Sequence, residues 1–335
     1  MTAYLVRRLL LIVPTLLGIS LVCFALVQFV PGGPVEQIIA KVNAAAASHP
    51  GGRGISPEEI ANIQAYFGFD KPAYIRYFTW LGNMLHGDFG NSYVYQQPVL
   101  DVIVSKMPIS LFFGLVSYVL AYAVSIPLGV KKALNHGSLS DSISSAVIFA
   151  GYVLPGYAVG IVLLIFFAGG SYLSWFPLGN IVSDNYESLS PFDKVLDFLH
   201  HMVLPVFCYL IGEFAMLTLL MKNSTLDELG KDYMRTAMAK GLSLRQAVWR
   251  QAFRNALIPI ATGVGSIFAV MFTSALLIER VFDIDGMGLL MWNSMIGRDY
   301  NVVLGIIVLS SLFVALGRLL SDIIYVVVDP RIRFD

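Results

Sequence analysis

Apolar residues run almost without interruption at six places along the chain: Leu9–Val30, Ile109–Val130, Ile143–Phe167, Met202–Met221, Ala256–Ile278 and Val302–Val328. As a helix, each is long enough to cross a hydrocarbon layer about 30 Å thick. The polar stretches between them carry helix-start and helix-stop signals. Pro31-Gly32-Gly33-Pro34 is a turn that cannot continue a helix, and Ala44–Ala47 with Gly51, Gly52 and Gly54 reads as loosely held. Ser56-Pro57-Glu58-Glu59 then sets an N-cap serine, a first-turn proline and a capping-box glutamate before a helix running to Phe67. A second helix is expected over Tyr74–Leu85. The loop 222–254 reads as helix, break, helix. In it Ser224-Thr225-Leu226-Asp227 caps one start, Asp232–Lys240 forms a short helix that Gly241 stops, and Ser243-Leu244-Arg245-Gln246 restarts with a capping box. The pattern predicts an all-α integral membrane protein with six transmembrane helices. Its parts are an N-tail and first span (1–30), an outer segment (31–108), a five-helix core (109–328) carrying the 222–254 loop, and a C-tail (329–335).

Composition agrees. Of 335 residues, 57% are apolar and only 13% charged, which excludes a soluble multidomain protein. The net charge of zero is two asymmetries cancelling. With six spans both termini share a side, and that side holds 14 basic against 7 acidic residues; the other holds 8 against 14. The short loops opposite the termini contain only Lys194, Arg280 and Arg298 as basic residues. The positive-inside rule makes the termini cytoplasmic. Arg7-Arg8 before an apolar run resembles a signal peptide, but Leu9–Val30 is too long for a signal core and is read as a retained span. Cys23 and Cys208 fall within spans and read as small apolar core residues, not a disulfide or metal site.

Catalytic chemistry is missing from the pattern. Gly230-Lys231-Asp232 lacks the first glycine and the hydroxyl residue of a phosphate-binding loop, and Gly263-Val264-Gly265 and Gly286-Met287-Gly288 lack a third glycine. His200 and His201 are adjacent, whereas two ligands on one helix face need a spacing of three or four, and they read as interfacial caps of the fourth span. No catalytic residues, metal ligands or nucleic-acid-binding features are assigned. Glu213, halfway along the fourth span, is costly in lipid and must face a partner helix or an aqueous path. It either contacts the amino end of a substrate or bonds a Thr, Ser or Tyr of the bundle. Arg318 and Asp322 are spaced to neutralise each other on one helix face. Gly156-x-x-x-Gly160 offers a small-residue packing face. Pro127, Pro155 and Pro259 can bend their helices, as hinges or as ordinary membrane-helix residues. The outer segment, with Tyr66, Phe67, Phe69, Tyr77 and Trp80, is either a docking surface or a cap. The 222–254 loop carries Lys231, Arg235, Lys240, Arg245, Arg250 and Arg254. A polybasic loop lying on anionic lipid would account for the charge, but the paired caps and small Ala/Gly residues favour a defined knob for another protein to grip.

These residues bring a family into view. Asp232-Tyr233-Met234-Arg235-Thr236-Ala237-Met238-Ala239-Lys240-Gly241-Leu242, followed by Arg254-Asn255-Ala256-Leu257-Ile258-Pro259, resembles the "EAA" loop of ABC-importer permeases of the dipeptide/oligopeptide class. The start (Arg7-Arg8, Pro14-Thr15-Leu16-Leu17-Gly18-Ile19, Pro31-Gly32-Gly33-Pro34) resembles the B-type permease subunit. So do Gly87-Asp88-Phe89-Gly90-Asn91-Ser92, Glu279-Arg280-Val281-Phe282, Gly286-Met287-Gly288, Arg298-Asp299-Tyr300 and Asp329-Pro330-Arg331. The likeness spans essentially the whole chain. Gly33 stands where the family usually has Asp, and Leu219 where an arginine is common. Both departures are similar to the Yej-type branch, which imports oligopeptides and the peptide–nucleotide antibiotic microcin C. Arg235 occupies the loop's first acidic position, so that glutamate's role does not carry over, and Arg254 stands where other permeases have proline.

The resemblance implies the type I importer permease fold in a bacterial cytoplasmic membrane. Its partners would be a second, homologous permease (a heterodimer), ABC ATPase subunits, a periplasmic peptide-binding protein, the peptide and membrane lipid. This chain would bind no cofactor, because ATP and Mg are used by the ATPases. Coupling residues would be Asp232, Tyr233, Arg235, Thr236, Ala237, Ala239, Lys240, Gly241 and Arg245, with Ala237, Ala239 and Gly241 allowing close packing. Glu213, Tyr118, Tyr152 and Pro155 are placed on the translocation pathway. Closure of the ATPases on ATP would turn the pathway outward, and hydrolysis would reset it. A stand-alone ion-coupled carrier and a structural membrane subunit are the alternatives.

Overall fold

The structure is a computed structural model that describes residues 2–29, 56–66, 70–169, 172–265 and 276–328, with single positions at 39, 43, 44 and 267. The expectations for Pro31–Pro34, most of the 44–54 stretch, Phe67, Phe69 and the tail after Val328 lie outside the described residues. Every regular element among the described residues is a helix, and the only bridges are the isolated pairs Asn91–Pro98 and Ala168–Phe176.

In chain order the helices are α1 (Thr2–Phe29), α2 (Pro57–Tyr66), α3 (Ala73–Leu85), α4 (Val99–Leu134), α5 (Leu139–Val153), α6 (Gly156–Phe167) and α7 (Pro191–Leu229). There follow α8 (Asp232–Ala239) and α9 (Leu244–Ala247), which passes through a π-helical turn (Val248–Ala252) into α10 (Phe253–Ala256). The last four are α11 (Ile258–Thr262), α12 (Leu276–Val281), α13 (Met287–Ile296) and α14 (Tyr300–Val328). Among the described residues, four helices are long and apolar enough to cross a membrane: α1, α4, α7 and α14.

Three expectations change. The span Ile143–Phe167 is not one straight helix: α5 and α6 meet at 100°. Pro disfavours helical backbone in the residue before it. Leu154 (ψ 125°) and Pro155 (ψ 131°) are both extended, and Gly156 starts afresh. The fourth span is the middle of a helix running from Pro191 to Leu229, so Ser224-Thr225-Leu226-Asp227 caps nothing. Thr225 is buried there, its hydroxyl donating to the Met221 carbonyl at 2.8 Å. The fifth span is broken in its described part by turns at Leu257 and at 263–265, between α10, α11 and the residues beyond.

The chain divides into two compact units. One comprises residues 10–106 and 290–312. Its core joins Phe24, Tyr77 and Leu304, with the Ser20 and Tyr77 hydroxyls 3.0 Å apart. Ser92 Oγ (2.5 Å) and the Val94 N–H (3.0 Å) donate to Asp299, and Asn301 Nδ2 donates to the Asn91 carbonyl at 2.9 Å.

The other unit comprises residues 1–9, 107–289 and 313–335. Here α7 is the spine on which α5 and α6 pack. Gly156 and Gly160 serve the close approach expected of them: a Cβ on Gly156 would stand 2.6 Å from the Cys208 carbonyl oxygen, and one on Gly160 2.9 Å from the Phe282 ring. Fully buried Glu279 accepts from Ser110 Oγ (2.8 Å), Tyr209 OH (3.3 Å) and the Leu289 N–H (2.8 Å) at the start of α13. Asp322 pairs with Arg8 Nε at 2.8 Å and accepts from Tyr4 OH, so the expected Arg318–Asp322 pair is replaced by one between α14 and α1.

Candidate functional site

The 222–254 region forms a knob. Gly230 ends α7, and α8 starts at Asp232 with its inner face turned toward the π-helical turn. Met234 and Ala237 are buried against Ala247, Val248 and Ala252, and the cluster extends to Leu217 and Met221 of α7. The π turn holds one more residue per turn than an α-helix. It buries Val248 and Ala252 while leaving Trp249 outside.

A carboxylate pins the base. Glu228, itself buried, accepts a short hydrogen bond from Tyr233 OH, an ion pair from Lys231 Nζ at 2.5 Å and Asn255 Nδ2 at 3.5 Å. One side chain of α7 thereby holds the start of α8 and the residues after the π turn. Burial, and then the Glu228 carboxylate beside it, raise the Tyr233 phenol above its usual pKa. The stop and restart follow the expected grammar. Gly241 has φ +90°, a conformation L residues rarely adopt, and its N–H reaches the Met238 carbonyl at 2.9 Å. Ser243 and Gln246 form the capping box.

Of the expected coupling residues, Asp232, Arg235, Thr236, Ala239, Lys240, Gly241 and Arg245 are exposed on this knob. Tyr233 and Ala237 are not: one faces Glu228, and the other lies in the knob's own core. Ala237 therefore lets α8 sit close to its own protein. The outer face also carries exposed Met238, Leu244 and Trp249, which sequence reasoning missed. Their signal was available: each is a large apolar residue out of phase with the buried Met234, Ala237, Ala247 and Val248. Cations interleaved with apolar side chains on a braced turn suit docking into a groove on another protein.

The expected pathway residues fall into two groups. Tyr118 is buried, stacked on Tyr122 with ring centroids 4.4 Å apart, and its hydroxyl donates to the Val264 carbonyl at 3.1 Å. Glu213, within electrostatic reach of Tyr122, is half-buried and makes no hydrogen bond or ion pair among the described residues. The expected alternative of a bond to a Thr, Ser or Tyr is thus not formed there. Tyr152 is 53% exposed beside Phe149, and it and Pro155 belong to the bend between α5 and α6.

Ser183, Asp197 and His201 bring together the residue types of a hydrolase triad in the wrong order. Ser183 Oγ donates to Asp197 at 2.5 Å, and His201 Nδ1 lies 2.8 Å from the Asp197 carbonyl. The imidazole is not hydrogen-bonded to the serine, so it cannot take that hydroxyl's proton. His200 Nε2 is 2.6 Å from the Trp175 carbonyl. Among the described residues no three His, Cys, Asp or Glu side chains are grouped to hold a metal ion, and both cysteines are free.

Comparison with known proteins adds the family. The model of the binding-protein-dependent transport system inner membrane component matches residues 125–334. The model of the N-terminal region of such membrane components matches residues 1–114. The chain is 43% identical to the inner membrane ABC transporter permease protein YejB of Escherichia coli O157:H7, over the whole of both chains. It is 39% identical to the peptidoglycan transport system permease protein YejB of Agrobacterium fabrum, over all of this chain and 99% of that one. It is 33% identical, over both full lengths, to the oligopeptide transport system permease protein AppB of Bacillus subtilis. The chain thus belongs to the family of binding-protein-dependent transport system inner membrane components and is a multi-pass protein of that membrane.

Proposed function

We propose that this chain is the transmembrane permease subunit of an ATP-driven peptide importer and forms half of the translocation pathway for oligopeptides. The observation that carries the reading is end-to-end likeness to permeases named for oligopeptide and dipeptide transport, in a chain whose knob is braced from within and exposed outside. In this reading the chain has six spans and cytoplasmic termini in a type I importer fold. The α5–α6 pair supplies one bent span, and residues 256–278 supply another. The knob is the coupling element for an ABC ATPase. Arg235, Lys240 and Arg245 make its polar contacts, Ala239 and Gly241 allow close approach, and Met238, Leu244 and Trp249 fill the apolar part of the groove. ATP and Mg are used by the ATPase subunits. A second, homologous permease completes the path, and a periplasmic binding protein delivers the peptide. Glu213 and the bend at Pro155 face that path. The Agrobacterium relative is named for peptidoglycan transport, which makes peptidoglycan-derived material a second substrate class in this reading. A carrier acting alone is set aside, because the family consists of components of binding-protein-dependent systems.

Gentle detergent purification from the native membrane, with mass spectrometry of what stays bound, tests the proposal. Recovery with a second permease and one or two Walker-motif ATPases is expected. A lone monomer or homodimer that still transports would overturn it.

A further inference from the structure

Three charged side chains that fall just outside the predicted spans Ile109–Val130, Ile143–Phe167 and Met202–Met221 are buried together. Lys132 lies in the last turn of α4, Asp141 in the first turn of α5 and Lys222 about two turns before the end of α7; they are 4%, 5% and 9% exposed. Lys222 Nζ spans both Asp141 carboxylate oxygens, at 2.9 and 2.8 Å. Lys132 Nζ stands 3.0 Å from Oδ1 and donates to the Asp141 carbonyl (3.0 Å), Ser144 Oγ (2.6 Å) and Ser145 Oγ (2.9 Å). The Gly137 N–H (3.3 Å), Ser145 Oγ (3.4 Å) and the exposed His136 Nδ1 (3.4 Å) complete the shell of Asp141. One carboxylate serves two buried ammonium groups. Apolar residues of the same volume would pack as well without the cost of desolvating three charges, so packing alone does not account for the cluster.

The elements it joins do. Beyond Lys222, α7 runs about 12 Å to Gly230, where the knob begins. Beyond Asp141, α5 runs to the bend at Leu154-Pro155. Near that bend the pair is already seated on α7: an added Cβ on Gly151 would meet Ile211, and one on Gly156 the Cys208 carbonyl. At the other end of α5, the ion cluster fastens the helix to α7. On the α4 side, a Cβ on Gly129 would stand 2.6 Å from Met221 Cβ, so α4 and α7 touch backbone to backbone next to the charges.

We propose that Asp141 and Lys222 are positioning residues for coupling. They bind the start of α5 to the end of α7 that carries the knob, so displacement of the knob moves the bent pair as one body instead of letting α5 pivot about Pro155. The inference rests on the importer reading above. Lys222→Gln is the discriminating variant, because it removes the α7 arm yet leaves Lys132 and Asp141 as a balanced pair. Lys222→Arg is its conservative partner. Each is purified as the whole complex and reconstituted in vesicles with binding protein and a peptide, and ATP hydrolysis, uptake and complex yield are measured together. The expected result for Lys222→Gln is normal yield, sustained hydrolysis and about five- to tenfold more ATP consumed per peptide, with Lys222→Arg restoring the wild-type ratio. An unchanged ratio, or hydrolysis and uptake falling together with yield, would overturn the positioning role. If the wild-type complex shows no ATP-dependent peptide uptake, the importer reading falls, and this inference with it.

Discussion

Two buried carboxylates show what single side chains do here. Glu279 accepts three hydrogen bonds, from a serine on α4, a tyrosine on α7 and the backbone entering α13. An amide does not replace it neutrally: with its NH2 toward Leu289 it would face a backbone N–H, and in the other orientation the Ser110 and Tyr209 hydroxyls would have to turn from donors to acceptors. Glu279→Gln is expected to destabilise the protein by about 1–3 kcal/mol, the usual cost of an unmet buried polar group, read as a lower melting temperature in detergent. Asp299→Ala strands Ser92 Oγ and the Val94 N–H, and a loss of the same size is expected. The sequence marks both residues, in Glu279-Arg280-Val281-Phe282 and Arg298-Asp299-Tyr300, but only as family motifs. Their reason lies in partners 169 and 207 positions away, which no spacing rule reaches. A separation of 81 positions between Asp141 and Lys222 likewise hid the Lys132–Asp141–Lys222 cluster.

At the scale of elements, local grammar was legible and long-range geometry was not. The capping boxes at Ser56 and Ser243 and the stop at Gly241 follow from residues within one turn of each other, and the structure forms all three. Proline was a poorer guide. Pro127 and Pro205 sit inside continuous helices, whereas Pro155 accompanies a 100° bend. The difference lies in what surrounds it: two extended residues followed by a glycine that packs on the α7 backbone. Gly156→Val is therefore expected to cut the yield of folded protein sharply, since its side chain would meet a carbonyl that cannot move aside. Gly160→Ala, facing a phenylalanine ring that can turn, should cost less; fluorescence size-exclusion of membrane extracts compares them. Gly241→Val forces a β-branched residue to φ +90° on an exposed turn. The expected outcome is a complex that assembles and hydrolyses ATP but imports peptide at a small fraction of the normal rate.

For the whole molecule, function depends on which way the knob points. In the six-span reading the side with the termini would carry 14 basic and 7 acidic residues and the other 8 and 14, and an excess of Lys and Arg of that kind sets orientation. The knob holds much of the basic excess, so orientation and coupling are one claim: a knob facing outward could meet no ATPase in the cytoplasm. Single cysteines decide it. Both native cysteines lie in apolar helices, Cys208 buried and Cys23 partly so, and each is replaced by alanine for the measurement. In intact cells a membrane-impermeant maleimide is expected to label Ser188→Cys, in the turn before α7, and to leave Arg245→Cys unlabelled until the membrane is opened. The two sites lie beyond opposite ends of α7 and both are exposed on this chain, so labelling of either one from outside the cell reports the side on which it lies. Labelling of Arg245→Cys from outside would reverse every span at once and remove the coupling role from the knob.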